Sequence, residues 1–149
     1  MPSQHILVPM DFSESSNQAL DYAITFASKL QARLTVLHVV EVFPLGSADM
    51  TTVPKAYIED LKMEADRTMQ SYLARITAAG LTGNIVVKHG PVFQEIMEVA
   101  KTQHVDLMIM GTHGRTGLSH LLLGSVAERL VRLAPCPVLV VRTPVAPAV

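Results

Sequence analysis

At 149 residues, with 49% hydrophobic and 17% charged side chains, the chain is long enough to bury a core as one domain and too apolar for intrinsic disorder. Its 12 Lys and Arg against 13 Asp and Glu give a formal net charge of −1, without the cationic surplus that argues for nucleic acid or an anionic membrane as partner. The single cysteine, Cys136, excludes an internal disulfide and suits a reducing cytoplasm.

The opening MPSQHILVPMDF has no basic region followed by a long apolar run and predicts no secretory leader. Nor does any apolar run approach the ~20 residues of a membrane span. HILVP, residues 5–9, is a short apolar run closed by proline and predicts a buried strand. The helix that follows carries Leu20, Ala23, Ile24, Ala27 and Leu30 on one face, with Ser15 and Gln18 as a capping box at its start. ARLTVLHVV, residues 32–40, is β-branched and apolar and predicts the second strand. Composition then shifts in EVFPLGSADMTTVP, residues 41–54, which reads as a long loop of the kind that is often functional or mobile. Ile58, Leu61, Ala65, Met69, Tyr72, Leu73 and Ile76 mark a long amphipathic helix, which Gly80 and Gly83 are expected to end. NIVVKHG predicts a third strand, and FQEIMEVAKTQ a third helix with Phe93, Ile96, Met97 and Ala100 inward. VDLMIMG predicts the fourth strand, VAERLVRLA the last helix and PCPVLVVR the fifth strand. The chain is expected to form a domain over residues 1–143, with a flexible proline-rich tail at 144–149.

Strands alternate with helices throughout, and nearly every strand is apolar on both faces. That pattern predicts a parallel α/β sheet with helices on both sides. In open sheets of this type ligands bind outside the carboxyl ends of the strands, where the strand order reverses.

Between the fourth strand and the last helix lies MGTHGRTGLSHLLLGS, residues 110–125, which holds Gly111, Gly114, Gly117 and Gly124, half of the chain's 8 glycines. Glycine reaches positive φ and lets another group approach the backbone closely. Consecutive N–H groups in such a loop form an anion nest, and the following helix adds its unpaired amides and positive dipole end. Arg115 offers a charge-assisted partner and Ser125 a hydroxyl, so the segment is built to hold phosphate. The bland alternative is that the glycines only make turns. No Walker A loop occurs, and the first strand runs into VPMDFSES, not into a GxGxxG fingerprint.

GTHG, RTGLSHLLL and GS together space glycines as Gly-two-Gly-nine-Gly-Ser. This resembles the ATP-binding branch of the universal stress protein family, and the resemblance covers almost the whole chain: HILVPMDFS matches the opening strand and turn, LHVVE the second strand, VKHGP the third and PCPVLVVR the last. It implies a Rossmann-like, adenine-nucleotide-hydrolase-like fold with an open five-stranded parallel sheet of order 3-2-1-4-5. It implies that Pro9, Met10 and Asp11 end the first strand, with the aspartate by the adenosine, and that Val39 touches adenine. Met110 would line the pocket floor. Gly111, Thr112, His113, Gly114, Arg115, Thr116 and Gly117 would run along ribose and phosphates, and Gly124, Ser125 and Val126 would hold the phosphates. Met10 stands where the family often has threonine or valine, and Ala127 where some nucleotide binders have a hydroxyl. The expected cofactor is ATP with Mg2+ or Mn2+ riding on its phosphates, since magnesium needs few protein ligands.

Each sharp reading has a plain counterpart. Asp11 is also placed to cap the next helix, and Ser125 to be a simple N-cap. His113 and His120 are seven apart but lack a nearby carboxylate or thiol, so no metal site made by protein alone is expected. His38 reads as a satisfied histidine in an apolar strand, and Cys136 and the methionines as core. The expected function is a cytoplasmic, nucleotide-dependent regulatory module in the stress response. A slow ATPase is the first alternative, although no base with an orienting partner is evident. A nucleotide-free interaction module is the second. The fifth strand, with Val138, Leu139, Val140 and Val141 uncharged at a sheet edge, is expected to pair with a second copy as a homodimer. The stress and any downstream protein partner are not legible.

Overall fold

The computed structural model describes residues 4–42, 53–112 and 123–142. Strands β1 (His5–Pro9), β2 (Arg33–Val40), β3 (Gly83–His89), β4 (Leu107–Gly111) and β5 (Val138–Val141) form one sheet of order β3-β2-β1-β4-β5, every pairing parallel. Helices α1 (Glu14–Leu30), α2 (Lys55–Ala78), α3 (Val92–Thr102) and α4 (Ser125–Leu133) make the connections. The expected α/β architecture and strand order are both observed. Most of the expected long loop, residues 113–122 of the glycine-rich segment and the expected tail lie outside the described residues.

Alternation along each strand divides the interior in two. Ile6, Val8, Leu34, Val36 and Ile109 face Ala19, Leu20, Ala23 and Ala27 of α1 and Met69, Tyr72 and Ile76 of α2. Leu7, Leu37, Val39, Met108 and Met110 face Ile96, Val99 and Ala100 of α3 and Ala127 and Leu130 of α4. Central strands are therefore buried on both sides, which is why their sequences read as unbroken apolar runs. No described helix is long and apolar enough to cross a membrane.

Two local expectations are corrected. The cap of α1 is Ser13, whose hydroxyl oxygen accepts from the Ser16 N–H at 3.1 Å; Ser15 is buried as the second residue of the helix, so the Ser15–Gln18 capping box does not form. Gly80 at φ +76 does end α2. The Leu81 N–H reaches the Ile76 carbonyl and the Gly80 N–H the Thr77 carbonyl, a Schellman closure. Gly83, by contrast, opens β3. A Cβ there would lie 2.6 Å from Ile76 Cγ2, so its bare backbone is what lets α2 lie against the strand.

At the opposite end of the sheet from the helix starts, His5 is only 2% exposed. Its Nδ1 is 3.1 Å from the Gln103 carbonyl, which can only accept, so Nδ1 carries the proton. Nε2 lies 2.7 Å from the Thr35 hydroxyl oxygen, which is also 2.6 Å from Asn84 Oδ1. Burial is the main effect and lowers the imidazole pKa from its ordinary 6.5; the Gln103 bond and Asp106 oppose that shift, and Arg33 adds to it. The unfolded chain thus takes up a proton before the native one does. Stability should be flat above about pH 6.5 and fall as pH drops from there towards the lower native pKa. Urea midpoints for wild type and His5→Asn across that window should show a steeper loss in wild type. Parallel curves would mean that His5 takes up its proton over the same pH range in the fold as in the unfolded chain.

Gly111 ends β4 against the start of α1. A Cβ there would meet Ser15 Oγ at 2.3 Å and the Ser15 carbonyl carbon and oxygen at 2.8 Å each. Backbone cannot yield as a flexible side chain does, so Gly111→Ala should cost about 1–3 kcal/mol in chemical denaturation. An unchanged midpoint would show that α1 can slide away.

Candidate functional site

β1 and β4 are neighbours in the sheet, yet their crossovers leave in opposite directions: β1 continues through α1 towards β2, and β4 through α4 towards β5. The strand order reverses between them, and a cavity of about 910 Å3 opens there, within the range of small-molecule sites. It gathers Pro9, Met10 and Asp11 from the end of β1, Val39 from β2, Met110, Gly111 and Thr112 from β4, and Gly124, Ser125 and Val126 from the start of α4. These are all the described members of the expected site. His113, Gly114, Arg115, Thr116 and Gly117 lie outside the described residues.

The polar floor begins at the β1–α1 turn. Asp11 Oδ1 accepts the Ser13 N–H at 3.0 Å and the Ser16 hydroxyl at 2.8 Å, while the Asp11 N–H approaches Ser16 Oγ at 3.4 Å. Asp11 therefore does not cap α1, a place taken by Ser13, but bonds a local amide, and it also lines the cavity.

The other polar end is α4. Gly124 is its N-cap and makes no side-chain capping bond, whereas α1 is capped by Ser13. A helix start leaves its first amides without intrahelical acceptors, so those of Ser125, Val126 and Ala127 lack one at the cavity wall. The Gly124 N–H is turned to the Thr112 carbonyl at 2.8 Å, which ties the helix start to the end of β4. Gly124 sits at φ −62, which any residue adopts. The conformational argument for glycine does not apply there; what matters is the absent side chain. Ser125 is the first residue of α4 and not its cap. Ala127 is buried in the core beneath that turn.

Between the polar ends the walls are apolar. Val39 and Met110 are each 7% exposed and belong to one hydrophobic cluster with Ile96 of α3. On the opposite side stand Tyr57 and Leu61 of α2, a helix whose first buried residue is Ala65. His38 is half-buried, and its Nδ1 donates to the Met10 carbonyl at 2.7 Å. Sequence reading treated His38 as a core residue and passed over Phe12 altogether. Phe12 lines the cavity at φ +67 and stacks on the His38 ring with 4.1 Å between centroids. No sequence signal marks an aromatic residue for a left-handed conformation, because β-branched and bulky side chains disfavour it. Among the described residues no cluster of three His, Cys, Asp or Glu side chains could hold a metal ion. Cys136 is half-buried, and burial pushes its thiol pKa up, away from a reactive thiolate.

The model of the universal stress protein family matches residues 2–142. A universal stress protein of Methanocaldococcus jannaschii, MJ0531, is 35% identical over 139 residues, covering 93% of this chain and 82% of the relative. Among solved structures, the MJ0577 protein, also from M. jannaschii, superposes with a TM-score of 0.83 at 31% identity, covering 98% of this chain and all of that one. A universal stress protein solved in complex with cAMP superposes at 0.72 with 26% identity, over 97% of this chain and 100% of the other. A family match from end to end of the described sheet, relatives matched over most of their length and the same fold all agree: this chain belongs to the universal stress protein family.

Proposed function

We propose that the crevice binds an adenine nucleotide, ATP with Mg2+ or Mn2+ on its phosphates, and that the protein is a nucleotide-dependent regulatory module of the stress response. The observation that carries the reading is the start of α4, whose N-cap Gly124 gives no side-chain capping bond, at one end of a cavity with apolar walls. Uncapped amides at a positive dipole end suit phosphate oxygens, and the apolar walls around Val39 and Met110 suit a base. Asp11, which lines the β1 end, would meet a ribose hydroxyl. A relative that binds cAMP lends weight to the adenine part. Residues 113–117 would add further donors, among them Arg115. The metal would ride on phosphate, as magnesium commonly does, and neutralise charge there.

The two ends make separable predictions in calorimetry. Gly124→Val is compatible with the backbone and should leave the fold intact, yet it crowds the helix start. ATP affinity should fall about tenfold or more and adenosine affinity little, as expected for lost charge-assisted bonds. Asp11→Ala should weaken ATP and adenosine alike. A folded Gly124→Val variant with wild-type ATP affinity would remove the phosphate role from α4.

We further propose a homodimer through β5. That strand is at the sheet edge, and Val138, Leu139, Val140 and Val141 are all only half-buried. Its unpaired backbone groups are satisfied by antiparallel pairing with a second copy about a two-fold axis. Val140→Lys should oppose like charges across that axis and shift sedimentation equilibrium towards monomer. A wild type that is monomeric at micromolar concentration would end the proposal.

A further inference from the structure

We infer that Phe12 is a positioning residue for the adenosine end of the crevice, a role that rests on the adenine-nucleotide reading and adds a residue to it. The observations concern the two neighbours of Asp11 in the chain. Met10 is held through its carbonyl, which accepts from His38 Nδ1 at 2.7 Å. Phe12 is held through its ring, stacked on the same imidazole at 4.1 Å and 22°. One side chain of β2 therefore clamps the backbone on both sides of Asp11. Tyr72 of α2, itself buried, extends the stack with its ring centroid 6.2 Å from that of Phe12. The carboxylate is fixed from the other direction by the Ser13 N–H and the Ser16 hydroxyl.

The backbone conformation points the same way. An aromatic residue at φ +67 is strained, and such strain persists only where the surroundings over-determine it. Glycine would adopt this turn without cost, as it does at Gly80. The left-handed turn aims the Phe12 ring at His38, and the ring in turn holds the turn. Core filling alone accounts poorly for the choice, because Phe12 is only half-buried and lines the cavity. A clamp on Asp11 accounts for the strain, the stack and the position together. Its effect on binding is preorganisation: Asp11 presents its carboxylate in one orientation before the ligand arrives.

Phe12→Gly separates the ring from the backbone, since glycine keeps φ +67 freely. Calorimetry should show adenosine and ATP weakened by the same factor, roughly tenfold. Phe12→Tyr restores a stacking ring and should recover most of that loss. In NMR spectra the ring-current shift of the His38 imidazole protons should disappear in Phe12→Gly and return in Phe12→Tyr. Should Phe12→Gly not fold, His38→Phe keeps a stacked ring but drops the donor to Met10, and it should also weaken both ligands. Wild-type adenosine affinity in folded Phe12→Gly or His38→Phe would overturn the inference. So would a loss confined to ATP, which would place the effect at the phosphate end. Absence of adenosine and ATP binding in the wild type would instead overturn the nucleotide reading itself, and it would be seen before any variant is made.

Discussion

The contact between Gly111 and Ser15 sets the geometry of everything above it. With no Cβ at Gly111, the first turn of α1 lies directly on the end of β4, close enough that a methyl group would overlap Ser15 backbone. α1 connects β1 to β2, yet its first turn packs on β4, the neighbour of β1 on the other side. Close packing at Gly111 fixes how near the start of α1 stands to the end of β4, and both line the crevice. Interiors pack at crystal-like density, so a contact this tight is rigid, and the turn carrying Asp11 and Phe12 inherits the rigidity.

On this frame the two polar ends are finished differently. The β1–α1 turn satisfies itself: Ser13 caps the helix, Asp11 accepts from Ser13 and Ser16, and Asn17 donates to the Ser13 carbonyl. The N-cap of α4, Gly124, gives no side-chain cap, although its backbone is anchored by its bond to Thr112. A capped helix start has little left to offer an anion, whereas an uncapped one keeps its amides and its dipole available. The asymmetry therefore carries chemical meaning. It gives the cavity a direction, with a self-contained carboxylate end and an amide end, joined by apolar walls from β2, β4 and α3.

Much of this was legible in the sequence because period and composition encode it. HILVP and VDLMIMG read as strands since both of their faces are covered, and alternation with helical patterns permits only a parallel sheet. Glycines at 111 and 124 drew attention to a connection whose two ends line the cavity, but the reasons differ from one position to the other. Gly111 is needed for helix packing, and Gly124, at an ordinary φ, for the bareness of the helix start. The capping box misplaced the α1 cap by two residues, because Ser13, Ser15 and Ser16 are all competent caps and local pattern cannot rank them. Their order is decided by the turn that Asp11 and Phe12 impose.

The sequence by itself determined the element types and the parallel sheet, and it singled out the glycine-rich connection between β4 and α4, since each follows from short-range periodicity and residue type. Strand order came from likeness to a family, not from periodicity. Only the tertiary structure decided that His38 and Phe12 meet, that His5 is buried with its proton on Nδ1, and that Tyr57 and Leu61 reach the wall of the same cavity as Val39. These pairs are far apart in sequence, and their meeting depends on strand register and crossover geometry. Local propensity carries no information about either one, because both are set by the packing of whole elements against each other.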